Sequence, residues 1–163
     1  MKNIYLIGMS GCGKTTVGFR LAKLAGARYV DTDKNVENDS GMTISEIFEK
    51  YGEAHFRQLE SRALEKASLA KNSVVATGGG IVKDSKNLEY MKNGTVVFID
   101  TPPEVIIERT DFSDRPLIKN DAENVRKLYN ERYEMYRSAA DITVSGEQSI
   151  EKIATEILKQ VKK

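Results

Sequence analysis

Apolar positions along the 163-residue chain follow two alternating rhythms. Short, nearly continuous β-prone runs occupy Ile4 to Ile7, Arg28 to Val30, Ser73 to Ala76, Thr95 to Ile99 and Ile142 to Val144. The longer stretches between them space their apolar residues three and four apart, which places them on one face of a helix. Strands alternating with amphipathic helices predict an α/β fold with a parallel sheet flanked by helices. The runs at 74–76 and 96–99 are apolar at every position, as expected of central strands covered on both faces. Val17, Leu21, Leu24 and Ala25 predict the buried face of a helix after the first strand. Thr43 and Glu46 have capping-box spacing ahead of Ile47 and Phe48, and Pro102-Pro103 opens a helix containing Val105 and Ile106.

Two segments depart from this scheme. Residues 33–70 are too long for one crossover helix and carry breaks at Ser40-Gly41 and Tyr51-Gly52, so a small helical subdomain is expected there. Residues 110–120 are polar, lack periodicity and contain Pro116. A plain surface loop has this composition too, but Arg109 and Arg115 favour a lid that closes over a bound ligand. No repeat or linker divides the chain, so residues 1–163 are read as one domain.

Charge and composition narrow the partners. Charged residues make up 30% of the chain but nearly cancel, to a net +1, which leaves no broad footprint for nucleic acid or an acidic membrane. One cysteine, Cys12, and one histidine, His55, exclude an internal disulfide and the usual zinc site. No stretch has the apolar length of a membrane span, and a nucleotide loop starting at residue 8 leaves no room for a targeting peptide. These features predict a soluble, cytoplasmic, monomeric protein acting on small molecules.

The chemistry starts at Gly8-Met9-Ser10-Gly11-Cys12-Gly13-Lys14-Thr15, which fits the P-loop pattern G-x-x-x-x-G-K-[ST] between a strand and a helix. Glycines let backbone N–H groups turn inward around phosphate oxygens at the positive end of the following helix. Lys14 supplies a point charge for the β- and γ-phosphates, and the Thr15 hydroxyl is placed to ligate magnesium. Cys12, next to Lys14 and a helix N-terminus, is expected to react with alkylating agents in a manner that ATP blocks.

A second group of residues provides an acceptor side. Asp31-Thr32-Asp33 closes the second strand, where ligands of open α/β sheets bind. Extended alternation would put both carboxylates on one side, one for magnesium through water and one for an acceptor hydroxyl. A helix N-cap is the competing reading. Arg57 and Glu60 lie one turn apart in Phe56-Arg57-Gln58-Leu59-Glu60, the spacing of an exposed ion pair; alternatively Arg57 converges with Arg132 to clamp a carboxylate by bidentate hydrogen bonds. Gly78-Gly79-Gly80 reads as backbone on which an acceptor rests, because three glycines must gain a conformation or a close approach. Arg115, next to Pro116, is the arginine best placed to stabilise charge on a transferring phosphoryl group.

Taken in order, GMSGCGKTT, DTD, FRQLE, TGGG, RPLI and ERYEMY make the chain resemble the shikimate kinases, P-loop enzymes of the nucleoside monophosphate kinase-like structural group. The resemblance spans essentially the whole chain. It implies a five-stranded parallel sheet in the order 2-3-1-4-5. It also implies transfer of the γ-phosphoryl group of ATP to the 3-hydroxyl of shikimate, a step toward chorismate and the aromatic amino acids. Under it, Gly11, Cys12, Gly13, Lys14, Thr15 and Thr16 hold ATP, Arg109 lies against adenine, and Arg115 reaches the phosphates from the lid. Asp33 binds the ring hydroxyls and assists deprotonation, Arg57 and Arg132 hold the carboxylate, and Gly78, Gly79 and Gly80 line the ring. Thr15, and Asp31 through water, serve Mg2+. Gluconate kinases share the scaffold but do not call for the joint DTD, FRxxE and GGG set, and a nucleotide kinase would want an aromatic or apolar base pocket on the acceptor side. A nucleotide switch would lack acceptor residues altogether.

Overall fold

The computed structural model describes residues 1–110 and 118–162, excluding the side chains of 118–120. All five β-prone runs form strands: β1 (Ile4–Ile7), β2 (Arg28–Asp31), β3 (Ser73–Ala76), β4 (Thr95–Asp100) and β5 (Ile142–Ser145). Three of them extend one residue beyond the expected end. The strands make one parallel sheet in the order β2-β3-β1-β4-β5. Leu6 of β1 faces Ala76 on one side and Val97 on the other. β1 and β3 are buried throughout, and the edge strands β2 and β5 are partly open. The continuous apolar runs therefore mark interior strands, as helices on both faces require.

The helices are α1 (Lys14–Ala25), α2 (Thr32–Ser40), α3 (Ile44–Tyr51), α4 (Glu53–Leu69), α5 (Ser85–Met91), α6 (Pro103–Arg109), α7 (Ile118–Ala139) and α8 (Ile150–Val161). In α1, Val17, Leu21 and Ala22 enter the core and Leu24 packs on its margin. Ala25, expected on that face, is only half-buried, and Ala22 takes its place because it lies one residue from Leu21 at the centre of the stripe.

Residues 32–69 fold as three helices, which stop at Ser40 and Tyr51, each followed by a glycine. They enclose a small core of their own from Val36, Ile47, Phe56 and Ala63, flanked by Met42, Ile44 and Leu59. Burying side chains the size of Ile47 and Phe56 contributes about 1.5–3 kcal/mol each. The capping box at Thr43 and Glu46 forms in both directions, giving α3 a defined start. This separate packing holds α4 so that Arg57 and Glu60 approach the sheet. Across the fold, the Arg126 guanidinium grips the Glu104 carboxylate at 2.6 and 3.1 Å and ties α7 to α6.

Because every strand pair is parallel, the segments that leave the strands' carboxyl ends gather along one edge. They are the P-loop after β1, Asp31 after β2, the glycine run after β3, Thr101 after β4 and Gly146 after β5.

Candidate active site

The P-loop spans β1 and α1 with Gly8, Gly11 and Gly13 at φ values of 146°, 84° and 105°, a region that side chains disfavour. A Cβ on Gly8 would also stand 2.9 Å from the Ile99 carbonyl oxygen. Lys14 is buried. Its ammonium donates to the carbonyl oxygens of Gly8 at 2.6 Å and Met9 at 2.9 Å. A third, longer contact runs to the Cys12 sulfur at 3.8 Å, so the charge is fixed at the loop by all three N–H donors.

Gly11, Cys12, Gly13, Lys14, Thr15, Thr16, Asp31, Asp33, Gly79 and Arg109 line one cavity of about 760 Å³. Gln148 and Ser149 line it as well, although Ser149 is also the N-cap of α8. Arg109 donates to the Gly146 carbonyl oxygen at 2.9 Å, which holds it at the end where β5 leaves the sheet. The Cys12 sulfur sits inside the fold, with the residue 1% exposed. The expected alkylation does not fit that burial, because reagents cannot reach the sulfur without opening the loop. Arg115 and most of the expected lid, residues 111–117, lie outside the described residues.

Asp31 and Asp33 both face the cavity, but not through extended alternation. The strand ends at Asp31, whose carboxylate accepts from the Lys34 N–H at 3.1 Å as the N-cap of α2. Asp33 then falls in the first helical turn. Burial, reinforced by the neighbouring Asp31 charge, raises the proton affinity of Asp33 above that of an ordinary carboxylate. Its Oδ1 meets no hydrogen-bond donor among the described residues.

The three glycines after β3 explain themselves by proximity. All are buried, and none has a positive φ. A Cβ on Gly78 would stand 2.6 Å from Glu60 Oε2 and 2.8 Å from Asp33 Oδ1. One on Gly79 would meet the Ser10 hydroxyl at 2.9 Å and Arg132 Nη1 at 3.5 Å, and one on Gly80 would collide with the Arg57 guanidinium. The run is therefore a bare backbone shelf surrounded by two carboxylates and two guanidinium groups. Of the two options that three glycines allow, close approach is the one realised.

Arg57 and Glu60 form an ion pair at 3.0 Å, and Glu60 is 1% exposed rather than on an open surface. Burial pushes the Glu60 carboxyl up, opposed by Arg57. Arg57 also reaches Glu53 at 3.4 Å, which in turn pairs with Lys83 at 3.2 Å. The guanidinium is thus held between two carboxylates on its own helix. Together with Gly80, Lys83 and Asn87 it borders a second opening of about 320 Å³. His55 stacks against the Tyr51 ring at 4.7 Å and lines neither opening.

Sequence reasoning missed Ser10 and Tyr136. Tyr136 is fully buried, and its hydroxyl donates to the Gly79 carbonyl oxygen. Its spacing of four from Arg132 on one helix was the available signal.

A family model described as shikimate kinase matches residues 10–162. The shikimate kinase of Persephonella marina is 44% identical, over 99% of this chain and 100% of its own length. That of Aquifex aeolicus is 44% identical over 95% and 93% respectively. Among solved structures, shikimate kinase from Acinetobacter baumannii in complex with shikimate aligns with a TM-score of 0.92 and 38% identity, covering 99% of this chain and 93% of that one. A gluconokinase from Sinorhizobium meliloti, at 18% identity and a TM-score of 0.58, shares the fold. With a P-loop, a paired-arginine glycine shelf and full-length likeness of this degree, the chain belongs to the shikimate kinase family.

Proposed function

We propose that this protein transfers the γ-phosphoryl group of ATP to the 3-hydroxyl of shikimate, giving ADP and shikimate 3-phosphate for aromatic amino-acid biosynthesis. The observation that carries the reading is the glycine shelf, bordered by Asp33, Glu60, Arg57 and Arg132 at the same sheet edge as the P-loop. A hydroxylated ring carboxylate needs such a surface, with flat backbone for the ring, cations for the carboxylate and an acceptor for the hydroxyl protons.

In this reading the loop amides and Lys14 hold the triphosphate while Arg57 and Arg132 orient the acceptor by its carboxylate. Most of the rate then comes from alignment and charge neutralisation, since phosphoryl transfer passes through a loose transition state. Asp33 orients the 3-hydroxyl and takes its proton late, and its raised proton affinity suits that task. Arg109 lies against adenine, supported by its place on the cavity wall. Arg115 stabilises charge on the transferring group.

The residues fit magnesium. The Thr15 hydroxyl and the Asp31 carboxylate line one cavity, and no cluster of three or more metal-binding side chains occurs among the described residues. Sparse protein ligation is how Mg2+ accompanies a nucleotide, with phosphate and water completing its shell. Thr15, and Asp31 through water, would hold it, and when bound it neutralises charge on the phosphates. The same reading takes the enzyme as a cytoplasmic monomer, supported by its balanced charge and by the lack, among the described residues, of a helix long and apolar enough to cross a membrane.

The test is ADP release from magnesium ATP with shikimate, gluconate, AMP or no acceptor at equal concentration. Turnover that depends on shikimate is the expected result. Preference for another acceptor would overturn the roles given to Asp33, Arg57 and Arg132.

A further inference from the structure

We propose that the Tyr136 hydroxyl is a positioning group for the acceptor, locking the glycine shelf and the carboxylate-binding Arg132 into one unit. Its place is set by packing. The Tyr136 ring stacks on Phe98 of β4, with centroids 5.1 Å apart and planes inclined by 28°, so the sheet fixes where the oxygen lies. The phenol donates to the Gly79 carbonyl oxygen, and Arg132, one helical turn earlier, stands beside the same glycine, with Nη1 3.5 Å from where a Gly79 Cβ would lie and its positive charge acting on the phenol. Its oxygen also lies 3.8 Å from the Met9 sulfur of the P-loop. One atom thus touches the shelf and the nucleotide loop, at the glycine beside which the clamp arginine stands.

The consequence follows from peptide geometry. In a planar trans peptide, holding the Gly79 carbonyl toward the phenol turns the Gly80 N–H to the opposite side. All described peptides are trans. The orientation of a shelf amide is therefore dictated by a side chain that itself never meets the ring. Tyrosine has one donor, which the Gly79 carbonyl takes, and spare acceptor capacity that a neighbouring guanidinium charge favours. Burial pushes the phenol up to about 12, so the proton it donates is retained at every working pH. A tyrosine serving only to fill the core would support both substrates equally, whereas a positioning role falls on the acceptor.

This inference rests on the shikimate kinase reading, and the experiment separates the two. Steady-state kinetics of Tyr136→Phe, which deletes one oxygen and keeps the ring stack, should show KM for shikimate raised about tenfold, the loss expected for one hydrogen bond to a buried carbonyl. KM for ATP and kcat should stay within about twofold. Equal loss for both substrates, or no change, would overturn the role. If the variant does not fold, the wild-type protein with 13C-labelled tyrosine supplies the answer. The Tyr136 Cζ resonance should move more on saturation with shikimate than with ADP, and a resonance indifferent to shikimate refutes the proposal. Absence of shikimate turnover by the wild-type protein overturns the functional reading and this role with it. Normal wild-type turnover with an unmoved KM in the variant overturns this role alone.

Discussion

Replacing Gly80 by alanine tests the shelf most directly. The backbone there has φ −98°, which alanine adopts freely, so any effect must come from the added methyl group. That methyl would occupy the volume of the Arg57 guanidinium, overlapping Nη1, Cζ and Nη2 together. The guanidinium cannot stay, and its 3.0 Å contact with Glu60 is lost along with its aim at the acceptor carboxylate. A hydrogen bond to a charged group is worth about 1.5–3 kcal/mol, and each 1.4 kcal/mol is tenfold in affinity. KM for shikimate should therefore rise about 10- to 100-fold, with KM for ATP little changed. A coupled assay of ADP release with shikimate varied at saturating ATP measures this. Gly41→Ala is the control: it sits at φ +71° with no atom within 4 Å of its Cβ. It should cost about 1–2 kcal/mol of stability through backbone strain and leave both KM values alone. If Gly80→Ala binds shikimate normally, or weakens both substrates alike, the shelf is not the acceptor surface.

Asp33→Asn should lower kcat about 10²- to 10⁴-fold with ATP affinity retained, measured by single turnover and ADP titration. The same change should raise Tm at neutral pH in EDTA, because the folded state holds Asp33 with raised proton affinity, so its ionised form costs stability above the ordinary value of 3.8. Native protein then binds more protons than unfolded protein, and wild-type stability falls as pH climbs through the interval. The advantage of the variant should therefore fade below 3.8, and an advantage constant with pH would refute the burial argument. Iodoacetamide should leave Cys12 of the folded protein unmodified with or without ATP, and label it after denaturation, as read by intact mass. Rapid labelling that ATP prevents would show that the loop opens to expose the sulfur.

What the sequence disclosed was whatever depends on spacing within one element. Strand positions, the α3 capping box and the P-loop each rest on local periodicity or a contiguous motif, and each lies where its residues put it. Readings that depended on direction fared differently. Asp31 and Asp33 share the cavity, but the chain enters α2 at Thr32, so a cap and a helical turn replace the expected alternation. Arg57 and Glu60 had the spacing of a surface pair. Only the separate core of α2 to α4 carries Glu60 beneath the shelf, and no local pattern encodes that docking. Cys12 has the neighbours of a reactive thiol, Lys14 and a helix N-terminus, yet its side chain points into the sheet side of the loop, against the position a Gly8 Cβ would take. The part played by Tyr136 needed the fold itself, since its acceptor is a backbone carbonyl 57 residues away.

The order β2-β3-β1-β4-β5 carries a consequence for biosynthesis. β1 precedes the other four strands yet sits at the centre of the sheet, and both of its partners lie far downstream, at residues 74–76 and 95–98. A nascent chain emerging from the ribosome thus carries its nucleotide-loop residues long before either neighbour exists to flank the strand beneath them. Until β4 is complete, β1 presents unpaired backbone on at least one side, the kind of edge that invites association with other chains. Nor can ATP lend stability by mass action to a cradle that is not yet built. The burden of protecting this apolar strand during synthesis falls on cellular factors rather than on the ligand, and it ends only once β4 has been translated.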